Sequence, residues 1–235
     1  MASDNTTAKK IRWVPLESSP DALGRYIHRL GASKSSGFSD VWGLDDELLA
    51  MVPQPVRSVI FLFPYTDKYV ENRNRLLASS TAKVSPNVWF MRQTIGNACG
   101  TMAVFHSLGN NLKEVPVTSH LAEFFEKVKD MTPAERAANF ETNEAIAVSH
   151  SEAATDTRST APSADDEVNN HYVAFVAVDG DLYELDGTVD KPINHGPTTD
   201  LLKDAAKVIK ERIAFFDGES QEFSVISFGP NISDD

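Results

Sequence analysis

Cys99 and three residues scattered along the chain have the types and positions to carry out nucleophilic acyl chemistry together. Cys99, the only cysteine, follows Gln93-Thr94-Ile95-Gly96-Asn97-Ala98 and precedes a small and apolar run ending at His106. Gly96 and Asn97 break the backbone, so this order predicts a tight turn opening into a buried helix, with Cys99 in its first turn. Unpaired N–H groups and the positive end of the helix dipole favour a thiolate there. Gln93 carries an amide donor a short distance upstream, able to reach a developing oxyanion. A lone cysteine after glycine in an apolar run is more often an inert core residue. The segment alone leaves both readings open.

A base and its orienting group are available elsewhere. His171-Tyr172-Val173-Ala174-Phe175-Val176-Ala177-Val178 reads as a strong strand, Asp179-Gly180 as a hairpin turn and Leu182-Tyr183-Glu184-Leu185 as the returning strand. In such a hairpin His171 opens one strand and Asp186 closes the other, so imidazole and carboxylate come to the same sheet edge. Asp186 would fix the tautomer and stabilise imidazolium, and the imidazolium would favour a Cys99 thiolate. The pair could equally be a structural ion pair. The other histidines have weaker claims. His106 lies two helical turns beyond Cys99. His28, His120 and His150 fall on expected helices without an orienting group, and His195 reads as a turn residue with local hydrogen bonds. One cysteine and scattered histidines lack the spacing of a zinc site, so neither metal nor cofactor is expected.

The elements that must position these groups follow from patterning. Arg12–Glu17 reads as an edge strand, Pro20–Leu30 as an amphipathic helix, Phe38–Gly43 as a strand, and Val56–Pro64 as a strand buried on both faces. Val88-Trp89-Phe90 is expected as the strand delivering Gln93, and Trp13, Trp42 and Trp89 as core or rim aromatics. Ser119 is a possible helix cap, and Thr132-Pro133-Ala134-Glu135 opens a helix running to about His150. Asp200–Phe216 is a periodic helix, and Phe223–Phe228 a last strand. Residues 1–10 read as a flexible N-terminus and 11–232 as a single domain. Residues 152–170 form a polar, aperiodic loop within it, a candidate lid.

The 235 residues carry 41% hydrophobic side chains and a net charge of −12. That charge speaks against nucleic acid and fits a basic partner or simple solubility. No secretory leader, membrane-spanning run or disulfide framework is visible, which predicts a cytoplasmic protein, with the nucleus as an alternative, and no membrane partner.

Taken together, the motifs resemble the ubiquitin carboxyl-terminal hydrolases, a family in the papain-like clan of cysteine proteases. Gln93–Thr101 is similar to the family's active-site segment, His171–Phe175 to its histidine strand, Tyr183–Gly187 to its aspartate segment, and Pro192–Gly196 to a further motif. The resemblance runs from Trp13 through nearly the whole chain. It implies an α/β (α+β) fold with a central, mostly antiparallel six-stranded sheet flanked by helices, and a knotted chain path. It also implies a crossover loop at 152–170 that admits only small adducts or flexible peptides. Cys99 would be the nucleophile, His171 the general acid and base, Asp186 its orienter and Gln93 the oxyanion stabiliser. The implied partner is ubiquitin, whose basic tail ends in Gly-Gly, met by a monomer with an acidic groove. Asp165, Asp166 and Glu167 are candidates for that groove, though a solvated charge run explains them as well. Thr188 stands where members often carry a basic residue. A slow-turnover ubiquitin-binding or storage protein, a hydrolase for a ubiquitin-like modifier, and a redox-sensing thiol protein are the competing readings.

Overall fold

The computed structural model describes residues 11–80, 82–155, 169–216 and 222–232. In chain order the elements are α1 (Pro20–Leu30), β1 (Ser36–Asp40), α2 (Asp46–Leu49), β2 (Ser58–Pro64), α3 (Asp67–Ser79), α4 (Cys99–Gly109), α5 (Ser119–Val128), α6 (Pro133–Glu141), α7 (Glu144–Thr155), β3 (Asn170–Val178), β4 (Asp181–Leu185), β5 (Ile193–Pro197), α8 (Leu201–Phe215) and β6 (Ser224–Pro230). The strands form one six-stranded sheet in the order β1-β6-β2-β3-β4-β5, every neighbouring pair antiparallel.

Period-two alternation makes the central strands buried on both faces. In β2, Ile60 and Leu62 face one core, shared with α1 and α4 to α7, while Val59, Phe61 and Phe63 face another, shared with α8. In β3, Tyr172, Ala174 and Val176 join the first core, and Val173 and Phe175 the second. The hairpin turn forms as expected, with Asp179 and Gly180 both at positive φ (51° and 85°). This pairs β4 with β3 in the register Ala174 opposite Leu185, so Asp186 leaves the strand end one step beyond that pair, toward His171 near the start of β3. The Thr132–Glu135 capping box also forms.

Several expected elements are different. Val88–Phe90 is buried but unpaired as a strand, because side chains satisfy its backbone. Asn110 bonds both the N–H and the carbonyl of Trp89 (2.8 Å each), Arg136 donates to Phe90 O (3.0 Å), and His106 Nε2 meets Met91 O (3.0 Å). Arg12–Glu17 makes only an isolated parallel bridge to Gly96, and its later groups are occupied by side chains: Val14 O accepts from His150, and Leu16 O from the Tyr172 hydroxyl. Strand β1 ends at Asp40, leaving Trp42 off the sheet and 77% exposed. The helix opened at Thr132 breaks at Thr142, and Asn143 Oδ1 accepts from Ile146 N (3.1 Å), starting α7 afresh. Thr118, not Ser119, is the cap residue of α5; Ser119 has φ 49°, and the Thr118 hydroxyl bonds Gly31 O instead. Most of the 152–170 loop, including Asp165, Asp166 and Glu167, lies outside the described residues.

Candidate active site

Asn97 adopts φ 61°, reversing the chain so that α4 begins at Cys99, as the Gly96-Asn97 signal predicts. Its cap residue, Ala98, has no side-chain acceptor, so that side chain takes up none of the first-turn N–H groups around the thiol. The helix can lie close to β3 because residue 100 is glycine. A Cβ there would sit 3.3 Å from both the Tyr172 ring and Leu16 Cβ. Cys99 is partly accessible, and its thiol is 4.0 Å from Asn170 O, the residue that opens β3.

Across that strand end, His171 Nε2 donates to Asp186 Oδ1 at 2.8 Å. The carboxylate then collects four more donors. Thr188 gives its N–H (2.9 Å) and hydroxyl (2.7 Å) to Oδ1, while the Tyr69 hydroxyl (2.7 Å) and Arg73 Nη1 (3.1 Å) bind Oδ2. Burial opposes charge on Asp186, but His171 and the Thr188 donors outweigh it and hold the carboxyl far below its ordinary range. Burial likewise opposes an imidazolium at His171. The Asp186 charge, its hydrogen bond and Cys99 prevail and raise His171 to about 10. With Nε2 committed to Asp186, Nδ1 is the nitrogen left for Cys99.

Gln93 precedes the turn. Its N–H donates to Gly187 O (2.7 Å) and its Nε2 to Ile95 O (3.0 Å), while Oε1 is buried without a partner. An exchanged amide would set two acceptors against each other at Ile95, so the nitrogen is fixed there with one N–H still unspent.

The four residues singled out by sequence therefore occupy adjoining segments: the Cys99 helix start, the His171 strand start, and the Asp186–Gly187 segment that also anchors Gln93. Sequence reasoning missed Tyr69, Arg73 and the action of Thr188. Tyr69 and Arg73 are the buried members of α3 and lie four residues apart, hence on one face, a signal hidden by the helix's polar composition. The cation at Asp186 comes from Arg73, which also donates to Thr188 Oγ1 (2.7 Å). The remaining histidines make structural contacts. His106 and His150 are buried, the latter between Thr101 Oγ1 and Val14 O (2.8 Å each). His195 is a strand residue bonded to Glu184 Oε2 (2.9 Å), not the local turn residue expected. Among the described residues no group of three or more His, Cys, Asp or Glu could hold a metal ion, and no helix is long and apolar enough to cross a membrane.

Comparisons with known proteins converge on one family. A ubiquitin carboxyl-terminal hydrolase of Aplysia californica is 42% identical over 211 residues, covering 88% of this chain and 97% of that protein. Ubiquitin carboxyl-terminal hydrolase 3 of Arabidopsis thaliana is 44% identical over 222 residues, covering 91% and 92%. The crystal structure of the Trichinella spiralis UCH37 catalytic domain bound to ubiquitin vinyl methyl ester superposes with a TM-score of 0.76 at 25% identity, covering 93% of this chain and 96% of that one. Residues 13–214 match the family model for ubiquitin carboxyl-terminal hydrolase, family 1, and the chain belongs to that family.

Proposed function

We propose that Cys99, His171 and Asp186 form a catalytic triad that hydrolyses the acyl bond after the C-terminal glycine of ubiquitin. The observation that carries the reading is the 2.8 Å His171–Asp186 bond, which commits Nε2 and leaves Nδ1 for the thiol at the α4 start. The thiolate attacks the glycine carbonyl, and the oxyanion that forms takes hydrogen bonds from the unspent Gln93 amide proton and the Cys99 N–H. As the intermediate collapses, His171 gives its proton to the departing amine or thiol, leaving a thioester. Water then attacks the thioester, His171 takes its proton, and free ubiquitin and the thiol are regenerated. Asp186 stays ionised throughout and orients the imidazole.

Cys99→Ala should abolish hydrolysis of a fluorogenic ubiquitin C-terminal amide while ubiquitin still binds. Undiminished turnover would sink the assignment. The loop at 152–170 is proposed to restrict the leaving group to small adducts or flexible peptides. Lengthening it with Gly-Ser residues should then speed cleavage of bulky ubiquitin conjugates without changing the small-amide rate. Equal rates on bulky conjugates would remove the gate from the model. Action as a monomer in the cytoplasm or nucleus is the accompanying proposal, the location supported by a single cysteine that allows no internal disulfide.

A further inference from the structure

Beside Asp186 lies a second buried charge cluster that triad chemistry does not use. Glu184, two residues before Asp186, is fully buried. Arg212, in the last turn of α8, forks onto it with Nη1–Oε1 at 2.7 Å and Nη2–Oε2 at 2.8 Å, and His195 Nε2 bonds the same carboxylate at 2.9 Å. Buried ion pairs of this kind contribute little net stability, because desolvation offsets their attraction. A gain in fold stability is therefore a weak account of why the pair is there.

The guanidinium does more than bind Glu184. Its carbon stands 5.1 Å over the Tyr69 ring, and the hydroxyl of that ring bonds Asp186 Oδ2 at 2.7 Å. The Tyr69 and His171 rings are themselves in contact, with centroids 6.0 Å apart. A bidentate fork fixes the plane of Arg212, and a fixed cationic plane over an aromatic face fixes where that ring can sit. Lysine could supply the charge there but not the plane.

We propose that Arg212, clamped by Glu184 and His195, is a positioning residue for hydrolysis: it holds the Tyr69 ring so that its hydroxyl locks Asp186, and through Asp186 the imidazole of His171. The inference rests on the triad reading above. Every contact in the relay lies within the described residues, and its hydrogen-bonded step to Asp186 is the Tyr69 hydroxyl; Arg212 also lies 5.8 Å over the Phe63 ring, which meets the His171 ring at 5.7 Å.

A double-mutant cycle tests whether the effect of Arg212 passes through the Tyr69 hydroxyl and not through the ring contacts. Turnover of a fluorogenic ubiquitin amide is measured per active site, with sites counted by labelling of Cys99 with a ubiquitin-derived electrophile. Tyr69→Phe should lower kcat about tenfold, the kinetic equivalent of one hydrogen bond to a charged group. Arg212→Met should lower kcat by a similar factor with KM within about twofold, and Arg212→Lys should restore little of it. In the Tyr69→Phe background, Arg212→Met should cost less than about twofold more. If Arg212→Met unfolds because Glu184 is left buried and charged, the Glu184→Gln/Arg212→Met pair removes both charges and should show the same loss. The inference is overturned if kcat per site stays at the wild-type value while only Tm falls, or if the Arg212 and Tyr69 losses multiply. A wild-type protein lacking Cys99-dependent turnover would instead overturn the triad reading, so the two failures are distinguishable.

Discussion

The backbone N–H of Gln93 donates to the carbonyl of Gly187 at 2.7 Å, so the proposed oxyanion donor is tied to the residue directly after Asp186. The segment before Cys99 and the segment holding Asp186 are thus one hydrogen-bonded unit. A shift in either is felt by both.

Gly187 allows that approach through its missing side chain. A Cβ there would lie 3.0 Å from Gln93 Cβ and 3.3 Å from Gln93 N and from Met102 Cγ. Gly187→Ala should push the Gln93 backbone away and lower kcat roughly tenfold, since small misplacements of a stabilising donor are expensive. KM for ubiquitin should change far less, because the displaced group is the donor proposed for the developing oxyanion. Steady-state kinetics on the fluorogenic amide separate the two parameters, and a pure KM effect would contradict this placement of Gln93.

Asp186→Asn removes the charge that raises His171 to about 10. The wild-type alkaline limb of kcat/KM should fall near pH 10, and in the variant it should move down toward the ordinary imidazole range, with kcat lower by about a hundredfold or more. Stability follows the same linkage. The raised native value contributes stability that is fully present below about pH 6.5 and is lost as pH rises through about 10. Urea titrations between pH 6 and 10 should show the decline in wild type and its absence in Asp186→Asn.

Acid acts through different histidines. Burial lowers His106 and His150 to about 4, with backbone hydrogen bonds at Met91 and Val14 opposing that shift. Between about pH 6.5 and 4 the unfolded chain binds protons that the native one refuses, so stability falls as pH falls through that window. Each histidine adds about 1.4 kcal/mol per pH unit there. His150→Gln should remove roughly half of this pair's slope in denaturant midpoints from pH 6.5 to 5, and an unchanged slope would exclude a buried, neutral His150.

The local parts of the site were legible before the fold was known. Gly96-Asn97 marks the turn before Cys99, because few residues tolerate positive φ. Asp179-Gly180 marks the hairpin that brings His171 and Asp186 to one edge. The near-continuous apolar runs of Val56–Pro64 and His171–Val178 mark central strands. Each of these is a backbone preference or an apolar run that a few neighbouring residues express by themselves. The strand assigned to Val88–Phe90 failed for the opposite reason. Its apolar side chains do belong in the core, but Asn110, His106 and Arg136 reach across from α4 and α6 to satisfy the backbone in place of a neighbouring strand.

By its own sequence, then, the chain marked Cys99, His171 and Asp186 as candidates, set the hairpin between the last two, and through the resemblance pointed to the family. Tertiary structure alone decided the distant partners of Asp186 and of Glu184 before it. Tyr69 and Arg73 arrive from 117 and 113 residues upstream, and Arg212 grips Glu184 from 28 residues beyond it. No local periodicity encodes such meetings. They follow from burying α3 and α8 beside the same strand ends, where buried charge requires partners and the packing supplies them.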